Sequence, residues 1–191
     1  MSVTVTNIST DTRRLLEDDI VIQKDIFVYS SSSVFTLSEI NVVAFSGVYI
    51  NDVSSGVDYT YDSASQKVTV STSLTVGDVV ELRYTCYKNY STTFIQNRVK
   101  SALVLISTHK YKDFDVLGSS DIIYPDPTTA EKRLIALIAS ILIEPDNVSY
   151  KLSDLNVVKP KDLPTRQIIG SIINDFKGNP IGLLTIVEGL L

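Results

Sequence analysis

The chain has 191 residues, 44% of them hydrophobic, with 17 basic and 22 acidic side chains and a single histidine, so a packed core is expected and disorder is not. The acidity belongs to one half: residues 1 to 88 hold 11 acidic and 6 basic side chains, a balance of −5, while residues 89 to 191 hold 11 of each. A surface of that sign repels phosphate backbones, which argues against sequence-independent nucleic-acid binding, and one cysteine, Cys86, permits neither an intrachain disulfide nor a thiolate metal cluster.

The opening residues, Met1 to Val5, carry neither the basic region nor the apolar run of a signal peptide. Ile8, Leu15 and Leu16 then fall on one helical face. Thr6, Asn7 and Ser9 are cap candidates, Arg13, Arg14, Glu17 and Asp18 are expected to point outward, and the helix is expected to end near Asp18 or Asp19. At that length it is not stable alone and must pack on something later in the chain.

From Ile26 the pattern becomes strand-like: Ile26 to Tyr29, Val34 to Leu37, Gly47 to Ile50, Val57 to Tyr61, Lys67 to Ser71 and Val79 to Tyr87. These segments are short, rich in Val, Thr and Tyr, and separated by Ser, Gly, Asp and Asn, as in an antiparallel sheet or small sandwich. Turn chemistry comes from Asn51-Asp52, Asp62-Ser63 and Gly77-Asp78. Cys86 shares its alternation phase with Val80, Leu82 and Tyr84, which predicts a small buried hydrophobe rather than a nucleophile.

A helix follows from about Thr92 to His109, capped by Ser91, with Ile95, Val99, Ala102 and Ile106 on one face. Residues 110 to 125 read as a loop. Asp126-Pro127-Thr128-Thr129-Ala130-Glu131 is a strong helix start, with Thr128 and Glu131 spaced as a capping box. The helix after it, Leu134 to Ile143, is apolar nearly all round and must be buried on several sides; it is about half the length needed to cross a bilayer, so no membrane partner is expected. Residues 147 to 163 read as a long connection. A last helix, Thr165 to Phe176, places Ile168, Ile169, Ile172, Ile173 and Phe176 on one face and stops at Gly178-Asn179-Pro180. Beyond it runs an apolar tail with only Glu188 charged, expected either to fold back on the core or to stay out as a hook for another subunit, in which case Ile181, Leu183, Leu184, Ile186, Val187, Leu190 and Leu191 are the candidate partner-binding residues.

The usual templates for chemistry are missing from the sequence: no phosphate loop, nucleophile elbow, histidine pair or thiol cluster. No enzyme activity, catalytic residue, cofactor or metal is therefore expected. His109, beside Lys110 near a helix end, suits an exposed capping role. The carboxylate pairs Asp113 with Asp115 and Asp18 with Asp19 lack the further oxygen ligands of a calcium loop. Tyr49, Tyr59, Tyr61, Tyr84 and Tyr87 could form a sugar platform or could fill half-buried strand positions, where the ring packs and the hydroxyl reaches water.

The order of parts resembles the head-to-tail connector (adaptor) proteins of tailed bacteriophages. The resemblance is carried by the opening helix ending Thr12-Arg13-Arg14-Leu15-Leu16-Glu17-Asp18-Asp19 and by the capped helix Tyr90-Ser91-Thr92-Thr93-Phe94-Ile95-Gln96-Asn97-Arg98-Val99-Lys100-Ser101-Ala102-Leu103. Thr92 and Thr93 stand where that family often has an acidic pair. The strands between them, Val48 to Asn51, Val57 to Asp62, Lys67 to Val70 and Val76 to Tyr84, look like a strand-rich insertion found in phage virion proteins. The likeness covers residues 5 to 143. It implies an α+β fold: a small helical bundle from residues 1 to 24 and 88 to 180, an inserted antiparallel β-sandwich-like domain from 25 to 87, and an extended apolar tail from 181 to 191. It further implies a homo-oligomeric ring of about a dozen copies in the virion neck, assembled in the bacterial cytoplasm. In that ring the tail would contact the portal protein, another face a downstream neck or tail protein, and the channel would pass DNA without binding it. The alternatives are a tail or baseplate adhesin that binds host glycans through its tyrosines, and a stopper or tail-completion neck protein.

Overall fold

The computed structural model describes residues 2–147, 149–152, 155–158 and 163–178. The protein is α+β, with four helices and antiparallel sheets among the described residues. It divides into two compact units, one made of residues 1–18 and 92–191 and the other of residues 19–91. The strand unit thus interrupts the helical unit in sequence.

In the helical unit, α1 (Val5–Leu15) buries Val5, Ile8, Thr12 and Leu15 at helical spacing. Its N-cap is Thr4, whose hydroxyl accepts from the Asn7 amide while the Asn7 side chain accepts from the Thr4 amide. Thr6, Asn7 and Ser9, expected as caps, all lie within the helix. Its last residue is Leu15, earlier than expected, and Glu17 beyond it takes a left-handed backbone with φ 52°.

Helix α2 (Thr92–Thr108) buries Ile95, Val99, Ala102, Leu103 and Ile106. Helix α3 (Thr129–Ile143) starts with the expected capping box between Thr128 and Glu131. Every residue from Leu134 to Ile141 is buried, because α1, α2 and α4 (Thr165–Gly178) all pack on it. Small side chains suit that crowded position: Ser140 donates to the Ala136 carbonyl at 2.9 Å and lies 3.5 Å from the Thr12 carbonyl of α1. Helix α4 buries Ile168, Ile169, Ile172, Ile173 and Phe176, and its Phe176 ring meets Tyr111 edge-on at 5.2 Å.

Two segments expected to be irregular contain hairpins. Strands β7 (Asp115–Leu117) and β8 (Ile122–Tyr124) pair with each other, and the chain start pairs with them: the Val5 amide donates to the Asp121 carbonyl and the Ile123 amide to the Val3 carbonyl. Strands β9 (Ser149–Leu152) and β10 (Leu155–Val158) form the second hairpin, where Tyr150 is buried and its hydroxyl donates to the Glu144 carbonyl.

The strand unit holds two three-stranded antiparallel sheets. One has the order β1 (Ile20–Val28), β6 (Val79–Tyr87), β3 (Val42–Ile50), and the other β2 (Val34–Thr36), β5 (Lys67–Val70), β4 (Tyr59–Asp62). Their buried faces share one apolar cluster. The first sheet contributes Val48, Val80, Leu82, Tyr84 and Cys86, and the second contributes Phe35, Val68 and Val70. Cys86 is buried in phase with its strand neighbours, as expected. All six expected strands are present, but β1 begins at Ile20 rather than Ile26 and β3 at Val42 rather than Gly47. Asn51 and Asp52 take the left-handed conformation expected of a turn. The Asn51 side chain accepts from the Val79 amide and donates to Asp78, tying that turn to the start of β6.

Candidate functional site

The expected partner-binding residues Ile181, Leu183, Leu184, Ile186, Val187, Leu190 and Leu191 lie outside the described residues. What the described residues offer is a contrast between polar clusters that are internally satisfied and one apolar row that is not.

Arg13 and Asp18, expected to point outward, are buried and form an ion pair, and the Arg13 guanidinium also lies 3.4 Å from the Thr92 hydroxyl. A charge turned inward with an opposite charge at bonding distance is a structural clamp, since desolvating either one alone would be costly. Asp18 is thereby held by Arg13. Among the described residues no group of three or more His, Cys, Asp or Glu side chains is placed to hold a metal ion.

Glu131 forms a second clamp. It accepts from Lys112 at 3.0 and 3.1 Å and from the Tyr111 hydroxyl at 3.2 Å, besides capping α3 through the Thr128 amide at 2.7 Å. Burial pushes the Glu131 carboxyl up, but the Thr128 amide and the Lys112 ammonium outweigh it and hold it below its ordinary value. Burial, with the Glu131 charge adding to it, pushes the Tyr111 hydroxyl up to about 12. His109 is not freely exposed as expected: its ring stands against Gly170 of α4, where a β-carbon would come within 3.2 Å of it, and its carbonyl accepts from Lys177. It acts as a helix-to-helix contact.

The tyrosines do not make one sugar platform. Tyr84 is buried, with its hydroxyl donating to Asp25 at 3.0 Å and 3.1 Å from the Ser38 hydroxyl, and burial pushes it up to about 12. Tyr59 and Tyr61 share a face of β4, as alternation predicts. Both are committed to Phe45, which stacks on Tyr61 at 4.8 Å and meets Tyr59 edge-on at 5.5 Å. Tyr49 lies under the Arg83 guanidinium at 3.8 Å. Tyr49 and Tyr61 fill half-buried strand positions, whereas Tyr84 is buried and Tyr59 is exposed.

The unsatisfied surface is the outward face of β1. Along this strand the odd positions turn toward the core and the even ones away from it. Ile20, Ile22, Ile26 and Val28 are 51, 84, 57 and 67% exposed, and only Lys24 interrupts the row. Val79, paired with Val28, continues it onto β6. Beside the row, Glu81 accepts from Lys24 at 3.4 Å and from Arg83, and the Arg83 bond holds the Glu81 carboxyl below its ordinary value. Charge on this face is therefore paired while the aliphatic side chains stand in water. The sequence reading missed the row because β1 is apolar on both faces at Ile20-Val21-Ile22 and shows no alternation there.

A cleft of about 270 Å³ in the helical unit, lined by Leu15, Leu16, Glu17, Glu144, Asn147 and Ser149, is mostly polar and smaller than typical ligand pockets. Among the described residues no helix is long and apolar enough to cross a membrane. No protein-family model matches this chain, and no curated protein matches it in sequence.

Proposed function

We propose that the chain is a structural subunit of a tailed-phage neck: a homo-oligomeric ring that joins the portal to the tail or to the next connector ring and lines the DNA channel. The observation that carries this reading is the order of parts. Helix α1 packs on α2 and α3 although the whole strand unit lies between α1 and α2 in sequence, which is the arrangement of one domain carrying another as an insertion. The residue-level likeness to connector proteins falls on the elements that flank the insertion, α1 and α2. Two features agree with a passive conduit. The acidic excess lies in residues 1 to 88, so that surface does not grip phosphate, and the polar clusters described above are spent on internal ion pairs and caps. The burial of Tyr84 and the stacking of Tyr61 on Phe45 weigh against a glycan-binding adhesin.

In this reading the tail, Ile181 to Leu191, docks into the portal as a hydrophobic hook. Co-sedimentation with purified portal particles tests it. The full chain is expected to join the portal as a ring visible in micrographs, and a chain lacking Ile181 to Leu191 is expected to keep its helical and strand circular-dichroism signature yet fail to join. Undiminished attachment of the shortened chain rejects the hook, and attachment of neither chain rejects the neck assignment.

A further inference from the structure

We infer that β1 pairs antiparallel with β1 of a second copy of this chain, joining two three-stranded sheets into one of six strands. Three observations carry this. First, β1 is a nine-residue edge strand, paired to β6 in unbroken register from Ile20↔Tyr87 to Val28↔Val79, and among the described residues no strand pairs with its other edge. Of the devices that ordinarily blunt an edge it lacks proline and bulge, and carries only the charges Lys24 and the core-side Asp25. The opposite edge strand of the same sheet, β3, is interrupted by two register shifts, between Val42 and Ala44 and between Phe45 and Gly47. One edge is protected and the other is open.

Second, the strand is a hydropathic palindrome about Lys24. Antiparallel pairing centred there sets Ile20 opposite Val28 and Ile22 opposite Ile26 on the outward face, and Val21 opposite Phe27 on the core side. The same register sets Gln23 opposite Asp25, whose carboxylate is already held inside the strand unit by the Ser38 amide and hydroxyl and the Tyr84 hydroxyl. A two-fold interface requires such self-complementarity, because each residue meets its counterpart in reverse. Slipping the register by two residues loses an aliphatic pair at one end and places Lys24 against Ile22 or Ile26.

Third, of the two charges on the strand Asp25 is held by Ser38 and Tyr84, and Lys24 is turned over the sheet. Lys24 would face the second copy's Lys24, but its ammonium lies 3.4 Å from Glu81 on β6, over the sheet, with its charge compensated. The outward row exposes on the order of 500 Å² of apolar surface, near the upper limit for the largest patch on a monomer. Pairing shields the flank of each row, and its extent is below that of a standard stable interface of roughly 800 Å² per partner. The pair is therefore concentration-dependent. Because no two-fold axis relates adjacent subunits of a cyclic ring, it is a form of the free protein and goes beyond the ring reading above.

Sedimentation velocity over a range of protein concentrations tests the pairing. The chain is expected to move from 21.1 kDa toward twice that mass as concentration rises, while Ile22→Lys and Ile26→Lys, both at exposed positions, stay at the lower mass with unchanged thermal unfolding. Under oxidation Lys24→Cys is expected to cross-link to itself, and Val53→Cys, exposed but away from the edge, is not. A chain that stays monomeric throughout, an oligomer indifferent to both substitutions, or equal cross-linking at the two positions overturns the inference. A portal-bound ring formed by a chain without this dimer leaves the neck reading standing and removes only the pairing. A dimer that never joins a portal does the reverse.

Discussion

On α3 and α4, Ile135, Ile138, Ile141, Ile168, Ile169, Ile172 and Ile173 are at most 4% exposed, whereas Ile20, Ile22 and Ile26 on β1 stand half or more in solvent. The residue type is the same, but the two units treat it in opposite ways. In the helical unit an all-round apolar helix has neighbours on every side, so its composition is spent within the subunit. Among the described residues of that half, scattered residues such as Val104 are what remain exposed. The strand unit has a satisfied core and still displays a contiguous aliphatic row on an open edge. Apolar composition alone does not locate a contact surface; the question is whether the fold provides something to cover it.

The contrast can be broken most severely by cavity formation. Ile138→Ala in α3 is expected to cost about 2–5 kcal/mol in denaturant unfolding, and Ile22→Ala in β1 to stay within about 0.5 kcal/mol at low protein concentration. Equal costs would remove the distinction. Next comes the buried clamp: Arg13→Ala takes the guanidinium from a buried Asp18 and is expected to cost about 3 kcal/mol, far more than Arg14→Ala, whose exposed side chain pairs with Asp11 at 3.2 Å. Thr128→Ala removes one side of the α3 capping box and is expected to cost about 1 kcal/mol, read as a lowered denaturation midpoint.

The pH response is a milder perturbation shared by both units. Tyr111 and Tyr84 are raised from 10.0 to about 12, so their contribution is whole below pH 10 and is lost as pH climbs toward 12. Glu131 is lowered from 4.5, so its contribution is whole above that value and disappears as pH falls through the lowered one. Thermal melts across pH are expected to show an alkaline decline that Tyr111→Phe and Tyr84→Phe each reduce, and an acid decline that Glu131→Gln reduces.

Much of this arrangement was legible in the residues. The burial phase of β6, the apolar face of α2 and the Thr128–Glu131 cap follow from spacing and side-chain chemistry alone. The hairpins β7–β8 and β9–β10 were not legible, because strands of three or four residues are too short to display alternation, and β7–β8 pairs with the distant segment Val3 to Val5. Helix α1 was displaced for a related reason: its cap is completed by Asn7, a residue that reads as a cap itself, and the inward turn of Arg13 depends on Asp18, beyond the helix end. The open edge of β1 was hidden because its outward face looks like a core face; only the pairing pattern shows that nothing among the described residues covers it.

Hydrogen exchange read by mass spectrometry at low and high protein concentration tests the central contrast most directly. Amides of α3 are expected to be equally protected at both concentrations, and those of β1 to gain protection as concentration rises. Exchange in β1 that ignores concentration, together with concentration-dependent protection in α3, would place the contact surface in the helical unit and contradict the account.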